Sequence, residues 1–234
     1  MKKEIIIFDL DGTLTESKQE ISKEMWEVIW NLKQKVGIIS GASFEQMQKQ
    51  FPDILVANFQ TYVMPQSGNV LFFNGEKIWE NSMNWRAKRD ALNHIHELYF
   101  YYQPILSPTN EMAEDRGSQI TFKFLGLNAP IAEKEKFDPD TKRRTMYLQE
   151  HPFHSLFAEV RIAGTTSLDY TEKGKNKGTN IQALLDYLNI PKGKAVYFGD
   201  KLMPGGNDET VIGVCDTIEV KGSADTLRKL KTIT

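Results

Sequence analysis

Short unbroken apolar runs alternate with amphipathic stretches along the first part of the chain. IIIF (5–8) is followed by a polar amphipathic stretch around 20–35, VGIIS (36–40), a helical pattern from about 43 to 50, and ILVAN (54–58). A strand that is apolar at every position buries both of its faces, so strands of this kind, spaced by helices, predict βαβ units and a parallel sheet covered on both sides. The rhythm returns near the end. IQALLDYLNI (181–190) is apolar at helical spacing and is stopped by Pro191 and Gly193, and AVYFGD (195–200) is a strand ending on an acid. IGVC (212–215) and TIEV (217–220) predict two more short strands, and ADTLRKLK (224–231) a last helix.

Between these regions the pattern changes. Residues 85–102 predict a helix rich in charge and aromatics, followed by the strand QITFKF (119–124), a mixed helical segment from about 139 to 157, and the strands AEVRIAG (158–164) and TSLDY (166–170). Long helices set against alternating strands predict an α+β module with an antiparallel sheet. The expected fold is therefore α/β, a Rossmann-like doubly wound parallel core sheet formed by residues 1–82 and 173–234, interrupted by an α+β insertion over 83–172.

Composition narrows the functional classes. A chain of 234 residues suits one large domain or two modest ones. With 29 Lys and Arg against 31 Asp and Glu, the net charge of −2 gives no global attraction to nucleic acid or anionic lipid. Cys215 stands alone, so neither an internal disulfide nor a thiolate zinc site is expected, and a reducing compartment is. The opening apolar run is too short for a signal-peptide core, and no stretch approaches the roughly 18 apolar residues of a membrane span. The expectation is a cytoplasmic protein whose partner is a small molecule, neither nucleic acid nor membrane. Oligomeric state leaves no signal.

Three strands end in residues with chemistry: Asp9 after IIIF, Ser40 after VGIIS and Asp200 after VYFG. Ligands of doubly wound sheets bind beyond the carboxyl ends of the strands, so these side chains converge if the strands are neighbours. In DLDGTLT (9–15), Asp9 and Asp11 lie two residues apart and would face the same way from an extended strand. A carboxylate attacks phosphorus without prior deprotonation, and a second one can shuttle a proton to the leaving oxygen. Two carboxylates and a phosphate repel one another, which calls for a hard cation such as Mg2+. An Asp-rich turn after a strand is the plain alternative. GDKLMPGGND (199–208) adds Asp200 and then Asn207 and Asp208 behind a Pro-Gly-Gly turn, where a helix N-cap is the plain alternative. Ser40 in ISGAS could donate to a phosphate oxygen or simply cap a helix. GKNKGTN (174–180) brings Lys175 and Lys177 to a helix start without completing a Walker pattern.

DLDGTLT, ISGAS, NKGTN and GDKLMPGGND stand in the order and spacing of the motifs of the haloacid dehalogenase superfamily of phosphotransferases, and the resemblance covers the whole chain. The insertion resembles the large cap of sugar phosphatases and of eukaryotic-type phosphomannomutases. YFGDKLMPGGND (197–208), EDRG (114–117) and TSLDY are especially similar to the mutases. The resemblance implies an enzyme acting on a phosphorylated sugar with Mg2+. Asp9 would be the nucleophile that becomes an aspartyl phosphate, and Asp11 the general acid and base with its backbone carbonyl on the metal. Ser40 and Lys177 would hold the phosphoryl group and Asp200 would complete the metal site, with Asn207 and Asp208 orienting the lysine and the metal's waters. In the cap, Arg116 would grip a second phosphate, and Ser167 and Asp169 would contact sugar hydroxyls.

The chain departs from the mutase pattern where it has Lys18 in place of an arginine and Gly126-Leu127 in place of a Gly-Arg pair. Arginine grips phosphate bidentately and neither lysine nor leucine replaces that. The expected reaction is accordingly phosphate-ester hydrolysis, with a phosphosugar mutase and a non-catalytic binding protein as alternatives. Four histidines invite a metal reading, but His94 and His96 point different ways from one helix, and His151 and His154 show no acid partner. LYFYY (98–102) is expected to pack on the insertion's sheet. KEKFDPDTKRR (134–144) is expected to be a solvated stretch whose Arg143–Arg144 end could reach a substrate phosphate.

Overall fold

The computed structural model describes residues 2–16, 18–52, 61–102, 112–126 and 128–231. The ILVAN strand expected at 54–58 and Leu127 of the Gly126-Leu127 pair lie outside the described residues. The chain divides into two compact units, residues 1–80 with 175–234, and residues 81–174.

The first unit is built on a seven-stranded sheet in the order β11-β10-β1-β2-β3-β4-β5. The strands are β1 (Ile5–Asp9), β2 (Lys35–Ile39), β3 (Thr61–Met64), β4 (Val70–Phe73), β5 (Glu76–Glu80), β10 (Ala195–Gly199) and β11 (Asp216–Glu219). From β11 to β3 all neighbours are parallel; β4 and β5 fold back antiparallel at the edge. Four helices accompany them: α1 (Lys23–Trp30), α2 (Phe44–Gln50), α6 (Lys177–Tyr187) and α7 (Ser223–Leu230). The run IIIF explains the double winding. Ile6 and Phe8 pack with Met25 and Ile29 of α1, Met47 of α2 and Leu230 of α7, while Ile5 and Ile7 pack with Ile181, Leu184 and Leu185 of α6 on the opposite face. All four strand side chains are fully buried, each contributing about 1.5–3 kcal/mol of transfer free energy.

The second unit holds a four-stranded antiparallel sheet in the order β6-β7-β9-β8. Its elements are α3 (Trp85–Tyr102), β6 (Ala113–Asp115), β7 (Gln119–Lys123), α4 (Ile131–Phe137), α5 (Lys142–Glu150), β8 (Ala158–Ala163) and β9 (Ser167–Glu172). Ile120, Phe122, Leu168 and Tyr170 turn one face towards Ala91, Ile95 and Leu98 of α3 and Tyr147 of α5. Their neighbours in sequence, Thr121, Lys123, Ser167 and Asp169, stand on the other face because strand side chains alternate.

Several expectations need correction. IGVC is no strand: Ile212 and Val214 donate their N–H groups to Glu209 and Val211, so the backbone is satisfied within a turn and only an isolated bridge joins Ile212 to Cys215. The predicted helix at 20–35 is shorter, starting behind the Ser22 cap and ending at Trp30. KEKFDPDTKRR is not a solvated stretch. It ends α4, turns, and starts α5, burying Phe137, Asp138 and Arg144. Arg144 cannot reach a ligand, because its Nε lies 2.7 Å from Asp138 Oδ2 and its NH1 donates to the carbonyls of Ala163, Gly164 and Ser167. The Arg143 guanidinium lies over the Phe137 ring at 4.8 Å. LYFYY divides, with Leu98 buried and Tyr102 stacked on Tyr147, while Tyr99, Phe100 and Tyr101 are exposed.

His94 is a packed residue, its ring nitrogens engaged by Tyr170 Oη at 2.7 Å and the His151 carbonyl at 2.8 Å. His151 does have an acid partner, Glu97 at 2.9 Å. Among the described residues no helix is long and apolar enough to cross a membrane.

Arg144→Ala would strand the Asp138 carboxylate in the interior. It should cost about 3–5 kcal/mol in urea unfolding, whereas Arg143→Ala, losing an aromatic contact at the surface, should cost about 1 kcal/mol or less.

Candidate active site

Chain order places the site. From β1 the chain runs to β2 and β3 on one side and returns to β10 and β11 on the other, so the winding direction reverses between β1 and β10. A crevice opens at such a switch point beyond the carboxyl ends of the strands. Asp9 is the last residue of β1, Asp200 follows the last residue of β10, and Ser40 follows the last residue of β2. The three strands whose ends carry chemistry are thus adjacent.

Lys177 enters the crevice from the first position of α6. That helix is started by Asn176, whose side chain accepts the Thr179 N–H while Thr179 Oγ1 accepts the Asn176 N–H. It is fastened to the sheet by Asn180, whose amide donates to the Ser67 carbonyl and to Asn69 Oδ1. The buried Lys177 ammonium donates to Asp9 Oδ1 at 2.6 Å and to Asp208 Oδ1 at 2.7 Å. Asp208 Oδ1 also accepts the Tyr197 hydroxyl at 2.6 Å, and its Oδ2 accepts the Lys201 N–H at 3.1 Å. Asp208 occupies the cap position of the short helical turn Glu209–Val211, but its side chain gives that turn no bond.

The carboxylates of Asp9, Asp200 and Asp208 offer oxygens that lie within 4.8 Å of one another. One ammonium among three acids, two of them buried and Asp200 half-buried, leaves the site electron-rich. Burial pushes the Asp9 carboxyl up, to about 8, against the pull of Lys177, with Asp208 and Asp200 adding to the rise. Burial likewise raises Asp200. It would raise Asp208 too, but Lys177, Tyr197 and the Lys201 amide hold that group below its ordinary value. Burial alone would lower Lys177, yet the two anions flanking it hold it above the usual lysine range.

A hard divalent cation fits this donor set. Asp200 Oδ1 is buried without a hydrogen-bond partner, as are Thr13 Oγ1 and Asn207 Oδ1 on the two motif loops, and buried polar atoms left in this state call for a ligand. Asp200 comes this close because residue 12 is glycine, with φ +75°; a Cβ there would lie 2.5 Å from Asp200 Oδ2.

Two expected residues stand differently. β1 stops at Asp9, so Asp11 does not share its carboxylate with the cluster. Its Oδ1 accepts the Lys18 N–H at 2.8 Å and the Gln50 amide at 2.9 Å. Ser40 is buried, with its Oγ accepting the Ala42 N–H at 3.1 Å; the N-cap of α2 is Ser43.

Arg116, Ser167 and Asp169 belong to the second unit. Arg116 donates to Glu114 Oε2 at 2.8 Å, and that oxygen also takes Lys123 Nζ at 2.8 Å. The bond from Arg116, with Lys123 beside it, holds Glu114 down at about 2 against its burial. Asp169 Oδ1 accepts the Thr121 hydroxyl at 2.8 Å, and burial raises its carboxyl against the pull of Arg116. Ser167 shares the face of Asp169 two residues away, and its carbonyl is one of those held by Arg144.

Sequence reasoning missed Gln50 and Tyr197. Gln50 is one glutamine among several in a polar helix and carries no distinguishing signal. Tyr197 did carry one, since a phenol in a fully buried strand must find a partner for its hydroxyl.

The sequence matches the haloacid dehalogenase-like hydrolase family over residues 6–212. A phosphomannomutase of Arabidopsis thaliana is 27% identical over 242 residues, covering 98% of this chain and 96% of the relative. Among solved structures, a haloacid dehalogenase-like hydrolase from Bacteroides thetaiotaomicron superposes with a TM-score of 0.62 at 15% identity, each chain covered completely. The IMP-nucleotidase of Plasmodium falciparum gives a TM-score of 0.68 at 17% identity, with 99% of this chain matching 66% of the longer one. At these identities the structures show a shared fold.

In metal-free protein the Asp9 proton is held more tightly in the fold, at about 8, than in the unfolded chain near 3.8. Stability should therefore fall as pH rises through that window, with Asp200 acting in the same direction. Asp208, depressed in the fold, works the other way, losing its contribution only as pH falls below the ordinary carboxylate range. Thermal melts in chelator from pH 5 to 8.5 should decline for the native chain, and Asp9→Asn should flatten the decline.

Proposed function

The chain belongs to the haloacid dehalogenase-like hydrolases, a family of enzymes to which it brings phosphatase or mutase chemistry, and on that premise we propose that it is a Mg2+-dependent phosphatase of a phosphorylated sugar or polyol. The observation that carries the reading is the Lys177 ammonium bonded to Asp9 at the carboxyl end of β1, beside the unpartnered Oδ1 of Asp200. Asp9 is the phosphoryl acceptor. Lys177 gives two of its three protons to Asp9 and Asp208, which leaves one for an oxygen of the arriving phosphoryl group. Ser40, one residue beyond Ile39, the neighbour of Asp9 in the sheet, supplies a second donor once its hydroxyl turns. Mg2+ held by Asp9, the Asp11 carbonyl and Asp200 would neutralise the negative charge that gathers there; Asn207 and Asp208 brace the surrounding groups.

In the first half-reaction an Asp9 oxygen bonds to phosphorus as the ester oxygen leaves and takes a proton from Asp11. In the second, Asp11 takes a proton from a water whose oxygen attacks phosphorus. The Asp9–phosphorus bond breaks, giving inorganic phosphate and free Asp9. Asp11 has to leave Gln50 and the Lys18 N–H to do this, so those two bonds describe a resting position. Residues 83–172 act as the specificity cap on a core of 1–82 and 173–234, with Arg116, Ser167 and Asp169 contacting the sugar.

Hydrolysis is favoured over mutation by the thin supply of arginine for a second phosphate. Arg144 is spent on Asp138 and three carbonyls, which leaves it no part in binding a phosphate. A phosphosugar mutase is the second reading, favoured by relatives of that name that align along nearly the whole chain.

A panel of hexose and pentose phosphates with Mg2+ should release inorganic phosphate, and chelator or Asp9→Asn should abolish the release. Silence across the panel would refute the phosphatase. Stimulation by a hexose bisphosphate, with isomerised product and little free phosphate, would establish the mutase instead.

A further inference from the structure

We propose that Tyr197 is a positioning residue, its hydroxyl fixing the Asp208 carboxylate that aims Lys177 at Asp9. The inference rests on the reading of Asp9 as phosphoryl acceptor. Tyr197 is fully buried in the middle of β10 within the apolar layer shared with Ile7, Leu184 and Val211. A phenylalanine would fill that layer equally well, so the hydroxyl is not explained by packing. It is spent on Asp208 Oδ1, 2.6 Å away, the same oxygen that takes Lys177 at 2.7 Å. Three donors from a strand, a helix and a loop thus meet on one carboxylate, the third being the Lys201 N–H on Oδ2. The arrangement fits only over a bare Cα at Gly199, where a Cβ would lie 2.5 Å from Asp208 Oδ2 and 2.6 Å from Tyr197 Cε1.

The need for this brace follows from the chemistry. When an Asp9 oxygen bonds to phosphorus, the carboxylate loses its charge and its hold on Lys177 weakens. The ammonium must then be kept in place by Asp208. The Lys201 N–H holds Oδ2, but with Lys177 alone on Oδ1 that oxygen could still follow the lysine; a rigid phenol in the sheet fixes it. Burial keeps the phenol protonated, so it remains a donor throughout.

Tyr197→Phe removes the hydroxyl and keeps the ring. Tyr170→Phe is the control for mere loss of a buried phenol, since Tyr170 bonds His94 in the second unit. With the ester that the native chain turns over best, Tyr197→Phe should lower kcat about tenfold and leave KM within about twofold, as expected for a contact that matters most in the transition state. Tyr170→Phe should lower the melting temperature and leave kcat unchanged. In metal-free protein with 15N-labelled lysine, the Lys177 ammonium signal, identified by its absence in Lys177→Arg, should shift or broaden in Tyr197→Phe and not in Tyr170→Phe. Native kcat together with a native ammonium signal in Tyr197→Phe, or an equal loss of kcat in both variants, would overturn the proposal. Were the native chain to turn over no ester, the functional reading would fail by itself; a shifted ammonium signal would then still support the placement by Tyr197 and an unchanged one would overturn it.

Discussion

A lysine ammonium buried between two carboxylates is the constraint around which the first unit is organised. Taking Lys177 out of water carries a desolvation cost of several kcal/mol, offset only because Asp9 and Asp208 meet it at 2.6 and 2.7 Å. Neither distance tolerates much slack. β1 must end where it does, α6 must start at its Asn176 cap, and the loop after β10 must fold back over Gly199 to deliver Asp208. The apolar layers on the two faces of the sheet hold these three elements in register. The polar centre and the hydrophobic core therefore depend on each other, the core positioning the charges and the charges tying together the ends of strands and a helix.

The same centre is unbalanced. Three carboxylates face one ammonium, and three buried oxygens on the flanking loops, those of Thr13, Asp200 and Asn207, have no partner. Such a deficit suits a hard divalent cation, which this cluster of acids could hold. The raised Asp9 carboxyl expresses the same deficit as a proton affinity.

The second unit uses its buried ion pair for a different end. Arg144 and Asp138 stitch α5 to the β8–β9 turn through three carbonyls, which fixes the strand carrying Ser167 and Asp169. Counting arginines in a sequence misleads here, since Arg144, expected within reach of a substrate phosphate, is structural.

Asp9 and Asp200 could be singled out from the sequence because each stands at the end of an unbroken apolar strand, whereas Lys177 was separated from Lys175 only by the motif resemblance. The βαβ rhythm and the antiparallel insertion follow from the same local signals, and the family from the resemblance of four short motifs. What required tertiary structure depends on contacts between residues far apart in the chain. Tyr197 to Asp208, Gln50 to Asp11, Arg144 to the carbonyls of a distant turn and Glu97 to His151 are pairings whose partners no periodicity specifies. The turn after β1 is local, with the N–H groups of Thr13, Leu14 and Thr15 on the Leu10 carbonyl, but the close approach of Gly12 to Asp200, far along the chain, was decided by the tertiary structure.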